Sequence, residues 1–248
     1  MKSKWFEEWF DSKYYHTLYQ NRDYAEAQLF MDNLMNYLNV PKEASIWDLA
    51  CGKGRHSIYL AAQGFDVTGT DLSEQSITAA RESEHDYLSF FQHDMRDSFR
   101  INYFDYVFNL FTSFGYFEDE KDDLKVLKNI VKSLKNNGIF VMDFLNVHHV
   151  AAHLVPEETK VLSGVKFHIT RNIEDGYIVK TIAFEAEGRP HKYQEKVRAF
   201  SHFELTRLFT KAGLRINKVF GDYALNDFDV WQSPRLILTS CQADELLG

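Results

Sequence analysis

A chain of 248 residues is long enough to bury a substantial core and is accounted for by one α/β domain with a small elaboration. The formal net charge of -8, with no run of Lys and Arg, argues against a nucleic-acid partner, which would need a basic face. Two cysteines, Cys51 and Cys241, are too few for a disulfide framework. No stretch approaches the roughly 18 apolar residues of a membrane span. The acidic residues within the N-terminal MKSKWFEEWF also argue against a signal peptide, so a cytoplasmic, membrane-free location is expected.

Along the chain, Trp5, Phe6, Trp9 and Phe10 repeat at helical spacing and read as an amphipathic packing face. Tyr14, Tyr15, Tyr19 and Arg22 follow in a less regular segment able to fold over a ligand and to offer Arg22 or a tyrosine to a carboxylate. Short apolar runs at 45–50 (SIWDLA), 65–70 (FDVTGT), 88–92 (LSFFQ), 104–110 (FDYVFNL) and 138–144 (GIFVMDF) have the length of buried parallel strands. Helix-length segments separate them. In 119–135, Leu124, Leu127, Val131 and Leu134 share a face, acids crowd the start and lysines the end, and Gly138 is the expected stop.

From 156 to 200 the pattern changes to consecutive strands, VKFHITRNI, YIVKTIAFEAE and KYQEKVRAF, with turns at Asp175-Gly176 and Gly188-Arg189-Pro190. This predicts an inserted antiparallel sheet. Ser201 with Glu204 is a capping-box pattern that restarts a helix ended by Gly213, and runs at 214–220 and 235–240 complete the main sheet. The expected division is an N-terminal helical cap over 1–40, an α/β ligand-binding domain over 41–155 and 201–248, and a β lid over 156–200. A homodimer interface is the alternative use of the insert. Alternating strands and helices place the ligand at the carboxyl ends of the parallel strands.

The chemistry concentrates in Ile46-Trp47-Asp48-Leu49-Ala50-Cys51-Gly52-Lys53-Gly54-Arg55, a strand running into a glycine turn and a helix. A G-x-G turn alone is compatible with dinucleotide binding. The carboxylate of Asp48 beside it would repel a pyrophosphate but suits a ligand carrying an ammonium and a sulfonium, as S-adenosylmethionine does. Asp71, ending the next strand, can accept from both ribose hydroxyls. Asp94 follows the third strand, where it can accept from an adenine amino group while Met95 and Leu72 sandwich the ring. Cys51, inside the turn, reads as a small buried residue rather than a nucleophile.

The run DLACGKGRHSIYLAAQGFDVTGTDLS, with the later HDMRD, FDYVFNLFTSFGY and LKNNGIFVMDF and the N-terminal DSKYYHTLY, resembles the class I S-adenosylmethionine-dependent methyltransferases over most of the chain. The resemblance implies a seven-stranded, mostly parallel sheet of order 3-2-1-4-5-7-6 with helices on both faces, its strand 7 alone antiparallel. It also implies S-adenosylmethionine as cofactor, S-adenosylhomocysteine as product, and an acceptor above strands 4 and 5. Asp48, Ala50 and Gly52 would line the methionine end, Asp71 the ribose, and Asp94 with Met95 and Leu72 the adenine, with Cys51, Gly54, Arg55, Tyr19 and Arg22 as further cofactor-binding candidates. Asn109, ending strand 4, would touch the methionine or the acceptor. The run Asn109-Leu110-Phe111-Thr112 departs from the D/N-P-P-Y/F tetrapeptide of amino-methylating nucleic-acid enzymes, so a small-molecule acceptor is expected.

Phe114, Tyr116, Asp143, Asn146, His148 and His149, near strand ends 4 and 5, are candidates for acceptor binding or proton removal, with Tyr116, His148 and His149 the catalytic choices. No metal site is expected, because no ligand spacing accompanies the two histidines. The other functions compatible with such a sequence are a nicotinamide-dependent oxidoreductase, against which Asp48 and the missing third glycine count, and a non-catalytic cofactor-binding protein.

Overall fold

A computed structural model describes residues 5–19 and 24–243. Two short helices open the chain, α1 (Trp5–Phe10) and α2 (Lys13–Leu18), followed by α3 (Tyr24–Leu38). Strands and helices then alternate: β1 (Ser45–Leu49), α4 (Arg55–Ala62), β2 (Asp66–Asp71), α5 (Glu74–Arg81), β3 (Leu88–Gln92), β4 (Phe104–Asn109), α6 (Glu120–Ser133) and β5 (Leu134–Leu145). After α7 (Val147–Ala152) come β6 (Glu157–Leu162), β7 (Val165–Glu174), β8 (Tyr177–Ala186) and β9 (Arg189–Arg198). Then α8 (His202–Ala212), β10 (Leu214–Phe220) and β11 (Arg235–Gln242) close the fold.

Seven strands form one sheet, ordered β3-β2-β1-β4-β5-β11-β10, in which β11 runs antiparallel to both its neighbours. This is the expected order. Successive residues of the central strands face opposite layers, as a sheet covered on both sides requires. Ile46 and Val141 pack with α3, α4 and α5 through Phe30, Leu60 and Ile77, whereas Trp47 and Phe140 pack with α6 and α8 through Leu127 and Phe209. Ser201 and Glu204 form the capping box, with Glu204 Oε2 accepting from the Ser201 N–H at 2.8 Å.

Strands β6 to β9 form a separate antiparallel sheet. Its inner face, with Phe167, Ile169, Ile182 and Phe184, is covered by Trp9, Tyr14 and Leu18 of α1 and α2. The first two helices thus pack on the insert, while α3 packs on the main sheet. Among the described residues no helix is long and apolar enough to cross a membrane.

Two elements differ from expectation. β6 was not among the predicted strands, because as a largely exposed edge it draws its order from pairing with β7 rather than from an apolar alternation. The helix predicted through residue 135 ends at Ser133, and Leu134 already adopts extended backbone (φ -69°, ψ 138°). Gly138 is therefore not a helix cap but lies inside β5. A Cβ there would stand 2.9 Å from Leu134 Cδ2 and from the Lys135 carbonyl, while Asn137 takes the left-handed position (φ 66°).

Candidate functional site

The turn between β1 and α4 is built from left-handed backbone. Ala50, Gly52 and Gly54 have φ of 64°, 57° and 80°. For Ala50 this is a sparsely populated conformation, of the kind that persists where its surroundings over-determine it. The bracing is visible: the Cys51 N–H donates to the Thr70 carbonyl at 2.9 Å, and the Gly52 N–H to Asp71 Oδ2 at 2.8 Å. Gly54 and Gly69 both admit the ring of Phe90, which a Cβ at either position would meet at 2.5 Å. The turn can thus lie directly against β2, so that the first two strand ends open into one space.

That space is a cavity of about 390 Å³, within the range of small-ligand sites. Asp48, Asp71 and Asp94, from three successive strand ends, all line it. Asp48 is 2 % exposed, and Ser57 Oγ donates to its Oδ2 at 2.6 Å. Burial pushes its carboxyl up to about 6, against the opposing effects of Ser57 and the Arg55 charge. A carboxylate held this far from water with one hydroxyl partner is suited to a cationic ligand group.

Asp71 is bonded differently, to backbone groups. Burial raises its carboxyl too, and Oδ1 and Oδ2 accept from the backbone N–H of Ser73 and Gly52, both at 2.8 Å. These bonds lock the ends of β1 and β2 together and orient the carboxylate, which has lone pairs left for further donors. Asp94 is engaged by Arg96, whose backbone N–H and Nε donate to Oδ1 at 2.9 Å and whose Nη2 reaches Oδ2. Leu72 and Met95 line the cavity beside them.

The opposite wall comes from α1 and α2. Phe10, Tyr15, His16 and Tyr19 line it, and Tyr116 from the loop after β4 joins them, its ring 5.3 Å from that of Phe10. The Tyr116 hydroxyl donates to the Thr112 carbonyl at 2.8 Å. No residue of 156–200 is among the lining; the insert stands behind the wall. There Glu195 of β9 accepts from Trp9 Nε1 at 2.7 Å and from the Tyr19 hydroxyl at 2.7 Å, and pairs with Lys180 at 3.5 Å. Burial lowers Lys180 below the ordinary lysine range, against the pull of Glu195.

The structure does not gather every sequence candidate. Arg22 lies outside the described residues. Ala50, Cys51, Gly52 and Arg55 line the cavity, whereas Gly54 sits under the turn against Phe90. Asn109 is 1 % exposed and donates from Nδ2 to the Leu49 carbonyl at 3.0 Å, bridging β1 and β4 instead of facing the cavity. His148 packs on Trp231 with ring centroids 4.7 Å apart, and His149 stacks on His153 at 4.1 Å. Both belong to α7 and neither lines the cavity. Phe114 is core, and Asn146 caps α7 while donating to the carbonyls of Val230 and Ser233.

Phe10, His16, His56, His93 and Phe111 line the cavity without having been predicted there. For His56 the signal was present, since it follows Arg55 at the start of α4. Phe10 and His16 arrive on α1 and α2, whose docking no local pattern fixes, and His93 and Phe111 on the loops after β3 and β4. Among the described residues no cluster of three or more His, Cys, Asp or Glu could hold a metal ion.

Comparison with known proteins bears directly on this site. Residues 46–138 match the family described as methyltransferase domain. A putative methyltransferase of Bacillus subtilis (strain 168), YqeM, is 35% identical over 124 residues, 49% of this chain and 50% of that protein. The chain spans about half the length of that relative and, at 54%, of a putative methyltransferase from Geobacillus sp. (strain WCH70). The dTDP-3-amino-3,4,6-trideoxy-alpha-D-glucopyranose N,N-dimethyltransferase of Streptomyces venezuelae is 26% identical over 211 residues, 82% of this chain and 88% of that protein. A solved S-adenosylmethionine-dependent methyltransferase from Clostridium acetobutylicum ATCC 824 has the same fold, with a TM-score of 0.78 and 18% identity over 93% of this chain and 96% of that one. The strand order and the glycine turn agree with that fold, and residues 46–138 are similar to the methyltransferase domain family.

Proposed function

We propose that this protein transfers the methyl group of S-adenosylmethionine to an amine on a small polar molecule. The observation that carries the reading is the convergence of Asp48, Asp71 and Asp94 from three neighbouring strand ends on one cavity. The relatives' names suggest the acceptor class: one is an amino-sugar N,N-dimethyltransferase and another a glycine/sarcosine N-methyltransferase.

The donor set suits this cofactor. Asp48, buried and raised, would hold the ammonium, and the Arg55 guanidinium the carboxylate. Asp71, already oriented by two backbone N–H groups, would accept from the ribose hydroxyls. Leu72 and Met95 would flank the adenine; Asp94, engaged by Arg96, would reach its amino group with remaining lone pairs. When bound, the cofactor supplies an electrophilic methyl group on a sulfonium.

The chain's own work is then alignment, dryness and proton handling. Phe10, Tyr15 and Tyr116 exclude water from the acceptor side. Because the Tyr116 hydroxyl donates to the Thr112 carbonyl, its oxygen is set to accept a hydrogen bond from an amine N–H. Cys51 takes no part as a nucleophile: burial pushes its thiol well above its ordinary value, so the thiolate is not formed near neutrality. Transfer is therefore a single in-line displacement with no covalent enzyme intermediate.

The test is transfer from methyl-tritiated S-adenosylmethionine to panels of small amines, acids and phenols. Label in amines supports the reading. Label confined to acids or phenols overturns the acceptor class, and no label in any panel overturns the activity.

A further inference from the structure

Asp143, near the end of β5, was a candidate for acceptor binding or proton removal, but it is fully buried beneath the loop that follows β4. Its Oδ1 accepts from Arg235 Nε at 2.8 Å and lies 2.7 Å from Nη2. Its Oδ2 accepts from the Phe111 N–H at 2.8 Å and the Tyr223 hydroxyl at 3.1 Å. The Asp143 carbonyl takes the Thr112 N–H at 2.9 Å, and Arg235 Nη2 donates to Thr112 Oγ1 at 3.0 Å. Every one of these bonds either holds the Phe111–Thr112 turn or holds the group that holds it.

The turn needs holding. Phe111 and Thr112 are successive left-handed residues, with φ of 55° and 61°, and neither is glycine. What the turn presents to the cavity is the Phe111 ring. The Arg55 guanidinium carbon sits 4.2 Å from its centroid, and the His56 ring stacks on it at 5.0 Å. Tyr223 is 5.2 Å from Phe111. Burial, and then the Asp143 charge, push the Tyr223 hydroxyl upward, so it stays protonated and remains a donor.

We propose that the Asp143–Arg235 pair is a positioning unit that fixes the Phe111–Thr112 turn, so that Phe111 seats the Arg55 guanidinium for the carboxylate of the cofactor's amino-acid tail. This rests on the cofactor reading given above. It assigns Asp143 no contact with substrate and no proton to carry: both its oxygens are committed to internal donors.

The experiment compares two ligands on the full chain by calorimetry, S-adenosylhomocysteine and 5′-methylthioadenosine, which lacks the amino-acid tail. In Asp143→Asn, affinity for S-adenosylhomocysteine falls roughly tenfold or more, the scale of a lost charge-assisted hydrogen bond, while 5′-methylthioadenosine binds as in the parent chain. Phe111→Leu reproduces that selective loss. Should Asp143→Asn fail to fold with the Arg235 charge left buried, the double variant Asp143→Leu/Arg235→Met removes both charges and decides the matter. Equal weakening of both ligands, or of neither, overturns the proposal as a merely structural role. If the parent chain binds neither ligand, the cofactor reading fails first and this inference with it.

Discussion

The cavity has a floor and a wall, and they are made in opposite ways. The floor is assembled from consecutive strand ends, braced by hydrogen bonds such as Gly52 N–H to Asp71, and its polar groups line the cavity. The wall is two short helices, held on the insert by an apolar cluster and by Glu195 and joined to the floor through Asp11, whose Oδ1 accepts from Ser73 Oγ at 2.8 Å and from the Gln75 N–H at 3.0 Å. A rigid floor suits a cofactor common to a family, and a separately anchored wall suits an acceptor that changes between members. The insert holds α1 and α2 and does not itself line the cavity.

Breaking the floor produces the largest effect. Asp48→Asn removes the only buried charge assigned to the ammonium and weakens S-adenosylhomocysteine binding by about 3 kcal/mol or more. The same variant makes the ligand-free protein more stable at pH 7, by about 1–3 kcal/mol in denaturant titrations, because it relieves a carboxylate that burial has raised from 3.8 to about 6. The sign follows from proton binding. Between those two values the folded chain holds more protons at Asp48 than the unfolded chain, so stability falls as pH rises through that window. Ligand affinity moves the other way, dropping as pH falls below about 6 and the carboxyl becomes neutral. Opposed pH trends of stability and affinity, abolished together in Asp48→Asn, are the signature to measure.

Asp71→Ala follows, with a loss of about 1.5–3 kcal/mol in cofactor affinity and some loosening of the turn that Gly52 completes. On the wall, Glu195→Ala leaves Lys180 buried without its carboxylate and Trp9 and Tyr19 without their acceptor. It lowers methyl transfer more than it lowers S-adenosylhomocysteine affinity, which separates wall from floor in one variant. The smallest effects belong to His148→Ala, His149→Ala and Cys51→Ala, each of which retains substantial transfer, because the histidines do not line the cavity and the thiol is not a nucleophile.

The floor could be read in the sequence because its determinants are local. Asp48, Gly52, Gly54, Asp71 and Asp94 each sit at a fixed offset from a strand end, so strand spacing and residue type suffice to place them together. The wall could not be read this way. Trp9 and Glu195 are 186 positions apart, and nothing in the helical spacing of Trp9 and Phe10 tells that the first packs on a distant sheet while the second faces the cavity. Asp143 shows a third limit. Its position at the end of β5 marks it as important, but only its partner Arg235, 92 positions away, turns it from a candidate base into a brace. His148 and His149 attracted notice by residue type alone, and their helix carries them away from the cavity.

The most direct test of the floor is a calorimetric titration of the ligand-free chain with S-adenosylhomocysteine and, separately, with NAD. The account predicts one saturable site for S-adenosylhomocysteine, lost in Asp48→Asn, and no binding of NAD, whose pyrophosphate meets the Asp48 charge beside the turn. Tight binding of NAD, or an Asp48→Asn variant that binds S-adenosylhomocysteine as well as the parent chain does, would contradict it.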